Sequence, residues 1–118
     1  MKLVICEKPS VAKSIASALG VTSRADGCFE GNGLIVSWCV GHLVSPMDAA
    51  GYDPGYKKWK YDDLPILPEP FRYVLAKGKE DAFQNLKHLM EREDVTELVN
   101  ACDAGREGEL IFRLVYEM

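Results

Sequence analysis

With 118 residues, the chain is long enough for one domain that buries well over half of the surface its unfolded form exposes. It is 47% hydrophobic and 27% charged, and it holds neither a run of ~18 apolar residues nor the apolar core of a signal peptide, which leads us to expect a cytoplasmic protein with no membrane contact. The net charge of −4 has the wrong sign for gripping nucleic acid by phosphate neutralisation alone, so such a role needs a metal ion or basic surface from other parts of a longer protein.

The opening Lys2-Leu3-Val4-Ile5-Cys6 is a β-rich apolar run. Glu7-Lys8 follows, and Pro9 occupies a position suited to the first residue of a helix. Val11, Ala12, Ile15, Ala16, Ala18 and Leu19 give that helix a broad apolar face, and Gly20 is placed to end it. Cys28-Phe29-Glu30 and the apolar run from Leu34 to Val40 flank Gly31-Asn32-Gly33, a hairpin signal, and the hairpin is expected on or beside the sheet. His42 then lies at a strand end. A lone histidine is by default a structural hydrogen-bonding residue, and its position after a buried strand raises the functional odds only modestly.

Residues 46–70 are rich in Pro, Gly, Tyr and Asp without a sustained period. Tyr52, Tyr56, Lys57, Lys58, Trp59, Lys60 and Tyr61 interleave aromatics with positive charge, the composition of a base-stacking surface. Aromatics also pin irregular segments to a core, and Asp62-Asp63 follow at once, so the structural reading is favoured. Leu64-Pro65-Ile66-Leu67-Pro68 reads as an extended connector and Phe71-Arg72-Tyr73-Val74-Leu75 as a strand at an edge. Ala82, Phe83, Leu86, Leu89 and Met90 mark an amphipathic helix from Glu80 to about Arg92, with His88 on its polar side. The four cysteines (Cys6, Cys28, Cys39, Cys102) form no C-x-x-C pair and read as buried free thiols rather than zinc ligands or disulfides.

Leu98-Val99-Asn100-Ala101-Cys102 predicts a short buried strand, and Leu110, Ile111, Leu114, Val115 and Met118 predict a final helix. Between them stands Asp103-Ala104-Gly105-Arg106-Glu107-Gly108-Glu109. A solvated acidic turn favouring the helix N-terminus accounts for Glu107 and Glu109, but not for an acid at the strand end as well. An apolar strand thus runs into an acid and then a helix twice, at Glu7 and at Asp103. If the two strands are parallel in one sheet, both carboxylates arrive at the same carboxyl edge, where ligands bind in open α/β sheets.

Carboxylates converging there without histidine or cysteine partners form a hard oxygen site suited to Mg²⁺. Glu7 can bind the metal, or protonate a leaving oxygen if crowding by other acids raises its pKa. Lys8, just ahead of a helix N-terminus, can steady a phosphate oxygen, and so can Arg106. Either can instead merely offset the neighbouring acids, although for Lys8 the phosphate role is favoured. No activated nucleophile is evident, so the chain holds an acid-metal half of a site.

Glu7-Lys8-Pro9-Ser10-Val11-Ala12-Lys13, read with Trp38-Cys39-Val40-Gly41-His42-Leu43, Asp63-Leu64-Pro65-Ile66 and the 103–109 turn, resembles the N-terminal Toprim domain of type IA DNA topoisomerases, closest to bacterial topoisomerase III. The resemblance covers all 118 residues. It implies a Rossmann-like α/β Toprim domain with a mainly parallel central sheet flanked by helices and an added hairpin. It implies Mg²⁺ at the acids, facing a tyrosine on a later domain that cleaves single-stranded DNA and holds its 5′ phosphate. Glu7 then corresponds to the acid near the scissile phosphate, Lys8 to the phosphate-contacting lysine, and Asp103 and Glu107 to metal-binding acids. His42 falls on a motif whose histidine lies near the active site. The family pattern Asp-x-Asp-x-Glu has Gly105 in place of its second aspartate, which leaves Glu7, Asp103 and Glu107 as ligands and puts a second metal in doubt.

Residues 1–118 are thus expected to be the front portion of a larger enzyme, with the domain's last strand and the catalytic tyrosine beyond Met118, and to be inactive alone. The alternatives are a stand-alone Toprim nuclease or primase-like protein, and a metal-stabilised binding module.

Overall fold

The computed structural model describes residues 1–58 and 60–118; Trp59, one of the aromatics in the basic segment, lies outside the described residues. Lys2–Cys6 forms β1, and its four apolar residues are buried. Leu3 and Ile5 point to one face, Val4 and Cys6 to the other, which marks a strand covered on both sides. After Glu7-Lys8 the chain turns into α1 (Pro9–Ala18), with Pro9 in the first turn as expected. Gly20 and Val21 donate their N–H groups to Ser17 and Ala16, the bond pair that closes a helix C-terminus.

Two short strands, β2 (Ser23–Ala25) and β3 (Cys28–Gly31), follow, then β4 (Leu34–Trp38). The β3–β4 hairpin turns on Asn32 and Gly33, both at positive φ. It does not sit apart from the sheet: β4 pairs in parallel with β1, from Lys2 opposite Leu34 to Cys6 opposite Trp38. The exposed β2 was not legible in the sequence.

Val44–Pro46 (β5) pairs antiparallel with Tyr73–Leu75 (β6) in a separate two-stranded sheet, so the strand expected near residue 73 edges a small second sheet. Between them lie a short helix, α2 (Ala49–Tyr52), and two 3₁₀ turns, Pro54–Lys57 and Tyr61–Asp63. Tyr52 is tied down through its hydroxyl, which accepts the Arg72 N–H at 2.5 Å, and through the Arg72 guanidinium over its ring. Tyr61, by contrast, is 90% exposed.

Helix α3 (Glu80–Met90) buries Phe83, Leu86 and Leu89 and leaves His88 exposed, as its periodicity predicts. Then comes β7 (Glu97–Ala101), parallel to β1 with Cys6 opposite Ala101. This strand is not the buried one expected: it closes the order β2-β3-β4-β1-β7, and Val99 is 38% exposed because β7 has a neighbour on one side only among the described strands. Helix α4 (Arg106–Glu117) buries Gly108, Ile111, Phe112, Leu114 and Val115. Leu110 and Met118, expected on that face, are about half exposed, since Ile111, Phe112 and Val115 fill it.

The fold is thus a mixed α/β sheet whose three central strands, β4-β1-β7, are parallel. Val4, Cys6 and Val36 pack with Ala12 and Ala16 of α1 on one face. Leu3, Ile5 and Ile35 pack with α3 and α4 on the other. No helix among the described residues is long and apolar enough to cross a membrane.

Candidate functional site

The parallel strands deliver their carboxyl ends side by side. Past Cys6, β1 yields Glu7 and Lys8; past Ala101, β7 yields Cys102 and Asp103. The Glu7 and Asp103 carboxyls meet within hydrogen-bonding reach, and this contact, followed by desolvation and the charges of Asp103 and Glu107, raises the Glu7 pKa. Lys8 beside it pulls the other way. Like charges so close repel, and a hard cation would remove the conflict.

The third strand end brings His42. Beyond Trp38 the chain still tracks β1: Cys39 donates its N–H to the Cys6 carbonyl at 2.8 Å, and Gly41 donates to Glu7 at 3.3 Å. Gly41 has φ +63°, a left-handed conformation that suits glycine, and the turn there aims His42 toward α4. Its Nε2 contacts Oε1 of Glu107. His42 therefore belongs to the acidic edge through Glu107. Among the described residues no three metal-type ligands stand ready as one group, because Glu107 is engaged by His42 while Glu7 and Asp103 face each other.

The remaining acid of the turn is spoken for elsewhere. Glu109 accepts from Asn100 Nδ2 at 2.9 Å and Arg113 Nε at 2.7 Å, ties within α4 and to β7. Arg106 opens α4 and is exposed, and it forms no ion pair among the described residues. Gly105 has extended backbone, φ −168°, and a Cβ there would meet nothing within 4 Å.

Two residues that sequence reasoning passed over shape this edge. A Cβ on Gly108 would come 2.0 Å from the Asp103 carbonyl oxygen, so α4 can pack against the backbone of the acidic turn only with glycine there. Lys79 donates from Nζ to the Val40 carbonyl at 2.7 Å and to the His42 carbonyl at 3.1 Å. Gly108 carried a signal in its place between two glutamates, whereas Lys79, far away in sequence, carried none.

All four cysteines are free, as expected, although Cys102 is only partly buried. The hydrogen bond to Cys102, then burial, holds the Cys39 thiol far above its ordinary value, and burial pushes Cys6 up to about 11. Those two thiols stay protonated at neutral pH and supply no thiolate to the edge. The acidic edge is open surface, while a groove of about 320 Å³ lies elsewhere, between α3, β7 and α4, lined by Phe83, Met90, Leu98 and Val115.

A family model described as "Toprim domain" matches residues 2–118. The chain is 47% identical over 116 residues to the DNA topoisomerase 3 of Shouchella clausii, and 44% identical over 115 residues to those of Bacillus licheniformis and Bacillus anthracis. Each match covers 98% of this chain but 16% of the relative, so the chain spans about one sixth of those proteins' length.

Proposed function

The chain belongs to the Toprim domain family, and on that premise we propose that it is the Mg²⁺-binding Toprim domain of a cytoplasmic type IA DNA topoisomerase similar to topoisomerase III. The observation that carries this reading is the meeting of Glu7 and Asp103 at adjacent parallel strand ends, in a chain so similar to proteins named DNA topoisomerase 3. In this reading the tyrosine that attacks DNA belongs to another part of the enzyme, since the chain spans about one sixth of its relatives' length.

The donor set fits the metal. Glu7 and Asp103 present carboxylate oxygens already in conflict, Glu107 stands near enough for its charge to act on Glu7, and the buried thiols are protonated. Asp103 and Glu107 would hold Mg²⁺, joined by Glu7 in its deprotonated form, and the ion when bound would supply positive charge that draws a DNA phosphate to an acidic edge.

The chain's own residues then divide the work. Glu7, its pKa raised by Asp103, is a proton donor for the 3′ oxygen that leaves when the distant tyrosine attacks phosphorus. On religation the same oxygen returns its proton to Glu7. Lys8 neutralises charge on the phosphate in flight, and Arg106, with the N–H groups of the first α4 turn, takes a neighbouring phosphate. Single-stranded DNA is the substrate, held open for passage of another strand.

In the intact protein, Glu7→Gln should lower Mg²⁺-dependent relaxation of negatively supercoiled DNA at least about 100-fold. Full activity would overturn the role of Glu7. The chain alone should neither cut nor extend single-stranded DNA with Mg²⁺; if it does, a stand-alone nuclease or primase-like reading replaces this one.

A further inference from the structure

We propose that Lys79 is a positioning residue of this site, whose ammonium clamps loop 40–42 and so holds the His42 ring against Glu107. The inference rests on the reading of His42 and Glu107 as members of the acidic edge.

Lys79 stands where its residue type is locally unfavourable. It occupies the N-cap of α3, a position that favours Ser, Thr, Asp or Asn, and a cation there opposes the positive end of the helix. It makes no side-chain cap bond. A residue that breaks a local rule is accounted for by what its side chain reaches, and here that is the Val40 and His42 carbonyls, at 2.7 and 3.1 Å.

Those carbonyls bracket Gly41, the left-handed residue that turns His42 toward α4. Around them, the Gly41 N–H bond to Glu7 is long, at 3.3 Å, while Leu43 on the far side is fully buried and accepts from Ala76 at 2.7 Å. Cys39 upstream is as fully buried and donates to Cys6 at 2.8 Å, so the stretch carrying His42 is fixed at both ends and loose only across residues 40–42, where the Gly41 bond is long. A charged donor shared by two carbonyls, the stronger class of hydrogen bond, supplies the missing restraint. Its anchor is rigid, because Phe83, Leu86 and Leu89 seat α3 in the core. In this way α3, which carries no residue of the acidic edge, sets the angle at which His42 meets Glu107.

The test is nuclear magnetic resonance on the 118-residue chain. Lys79→Met removes the ammonium and keeps the stem, while Lys79→Arg keeps a charged multiple donor. The native chain should show a nuclear Overhauser contact between the His42 ring and the Glu107 γ-methylene, and a slowly exchanging Gly41 amide. In Lys79→Met the contact should vanish and the Gly41 amide should exchange at least about tenfold faster, while the amides of residues 3–6 are unchanged. Lys79→Arg should retain both features. An unaltered contact and exchange rate in Lys79→Met overturns the proposal. Faster exchange at residues 3–6 in step with Gly41 also overturns it, since Lys79 would then support the fold rather than the loop. Should Lys79→Met fail to fold, Lys79→Gln is read by the same criteria. No readout involves DNA, so the clamp can fail while the topoisomerase reading stands, and the reverse.

Discussion

The Nε2 atom of His42 lies against Oε1 of Glu107, two residues 65 apart in sequence and delivered by different parts of the sheet edge. The contact fixes the direction of the Glu107 carboxylate and engages one of its two oxygens, and in the proposed site the other would be free to ligate the ion. His42→Ala should therefore weaken Mg²⁺ binding by roughly tenfold, read by titration calorimetry. Unfolding by urea should differ by less than ~1 kcal/mol, because the pair is exposed. Unchanged or tighter binding would show that His42 competes for Glu107 rather than orienting it.

The Glu7–Asp103 contact gives the metal-free chain a signed pH dependence. Glu7 has a folded-state pKa raised above its ordinary 4.5. Its contribution to stability is therefore fully present below the ordinary value and is lost as pH rises through the raised one. Asp94, lowered by its hydrogen bond from Arg92, works the other way: its contribution is present above its ordinary 3.8 and is lost as pH falls through the lowered value. As pH rises above the ordinary Glu7 value of 4.5, Asp94 stays ionised, so the Glu7 effect is separable over that interval. In chelator, stability should fall over this interval less steeply in Glu7→Gln than in the native chain, and Mg²⁺ should flatten the native curve. Identical slopes for the two proteins would remove the raised Glu7 pKa from the account.

Gly108 is the tightest steric point of the site. Glycine to alanine inside a helix normally gains up to about 1 kcal/mol. Here the added methyl meets the Asp103 carbonyl at 2.0 Å, and neither backbone can yield cheaply. Gly108→Ala should instead destabilise by ~1–3 kcal/mol and weaken Mg²⁺ binding through displacement of Asp103. A stabilised variant with native metal affinity would contradict the packing described.

Much of this was legible in the sequence, for physical reasons that can be named. The apolar runs before Glu7 and Asp103 and the helical spacing after each gave the two strand-acid-helix units, and β1 and β7 pair in parallel as the convergence of their acids requires. The Asn32-Gly33 turn and α3 were equally plain, because turn chemistry and a 3.6-residue period are local signals. What stayed hidden depends on contacts between distant residues. The sequence cannot distinguish an apolar strand with two neighbours from β7 with one, and it gave β5 no mark in three residues. Nor could it show that Glu109 turns to Asn100 and Arg113 while Glu107 turns to His42.

Gly105 stands where the resemblance leads us to expect a second aspartate, and the space around it is open. Its extended backbone is available to any residue, so Gly105→Asp should fold normally. With another carboxylate beside Asp103, it should bind divalent metal more tightly or take up a second ion, visible as altered stoichiometry in calorimetry. A variant that binds one ion with native affinity would show that the missing aspartate is not what limits this site.

The central claim, that Glu7 and Asp103 from adjacent strand ends form one metal site, is most directly tested with Mn²⁺ as a paramagnetic stand-in for Mg²⁺. Titrated into the chain at low occupancy, Mn²⁺ should broaden the amide signals around Glu7, Asp103 and Glu107 first, and either Glu7→Gln or Asp103→Asn should abolish that broadening. Broadening centred on Asp62 and Asp63, or unchanged in both variants, would contradict it.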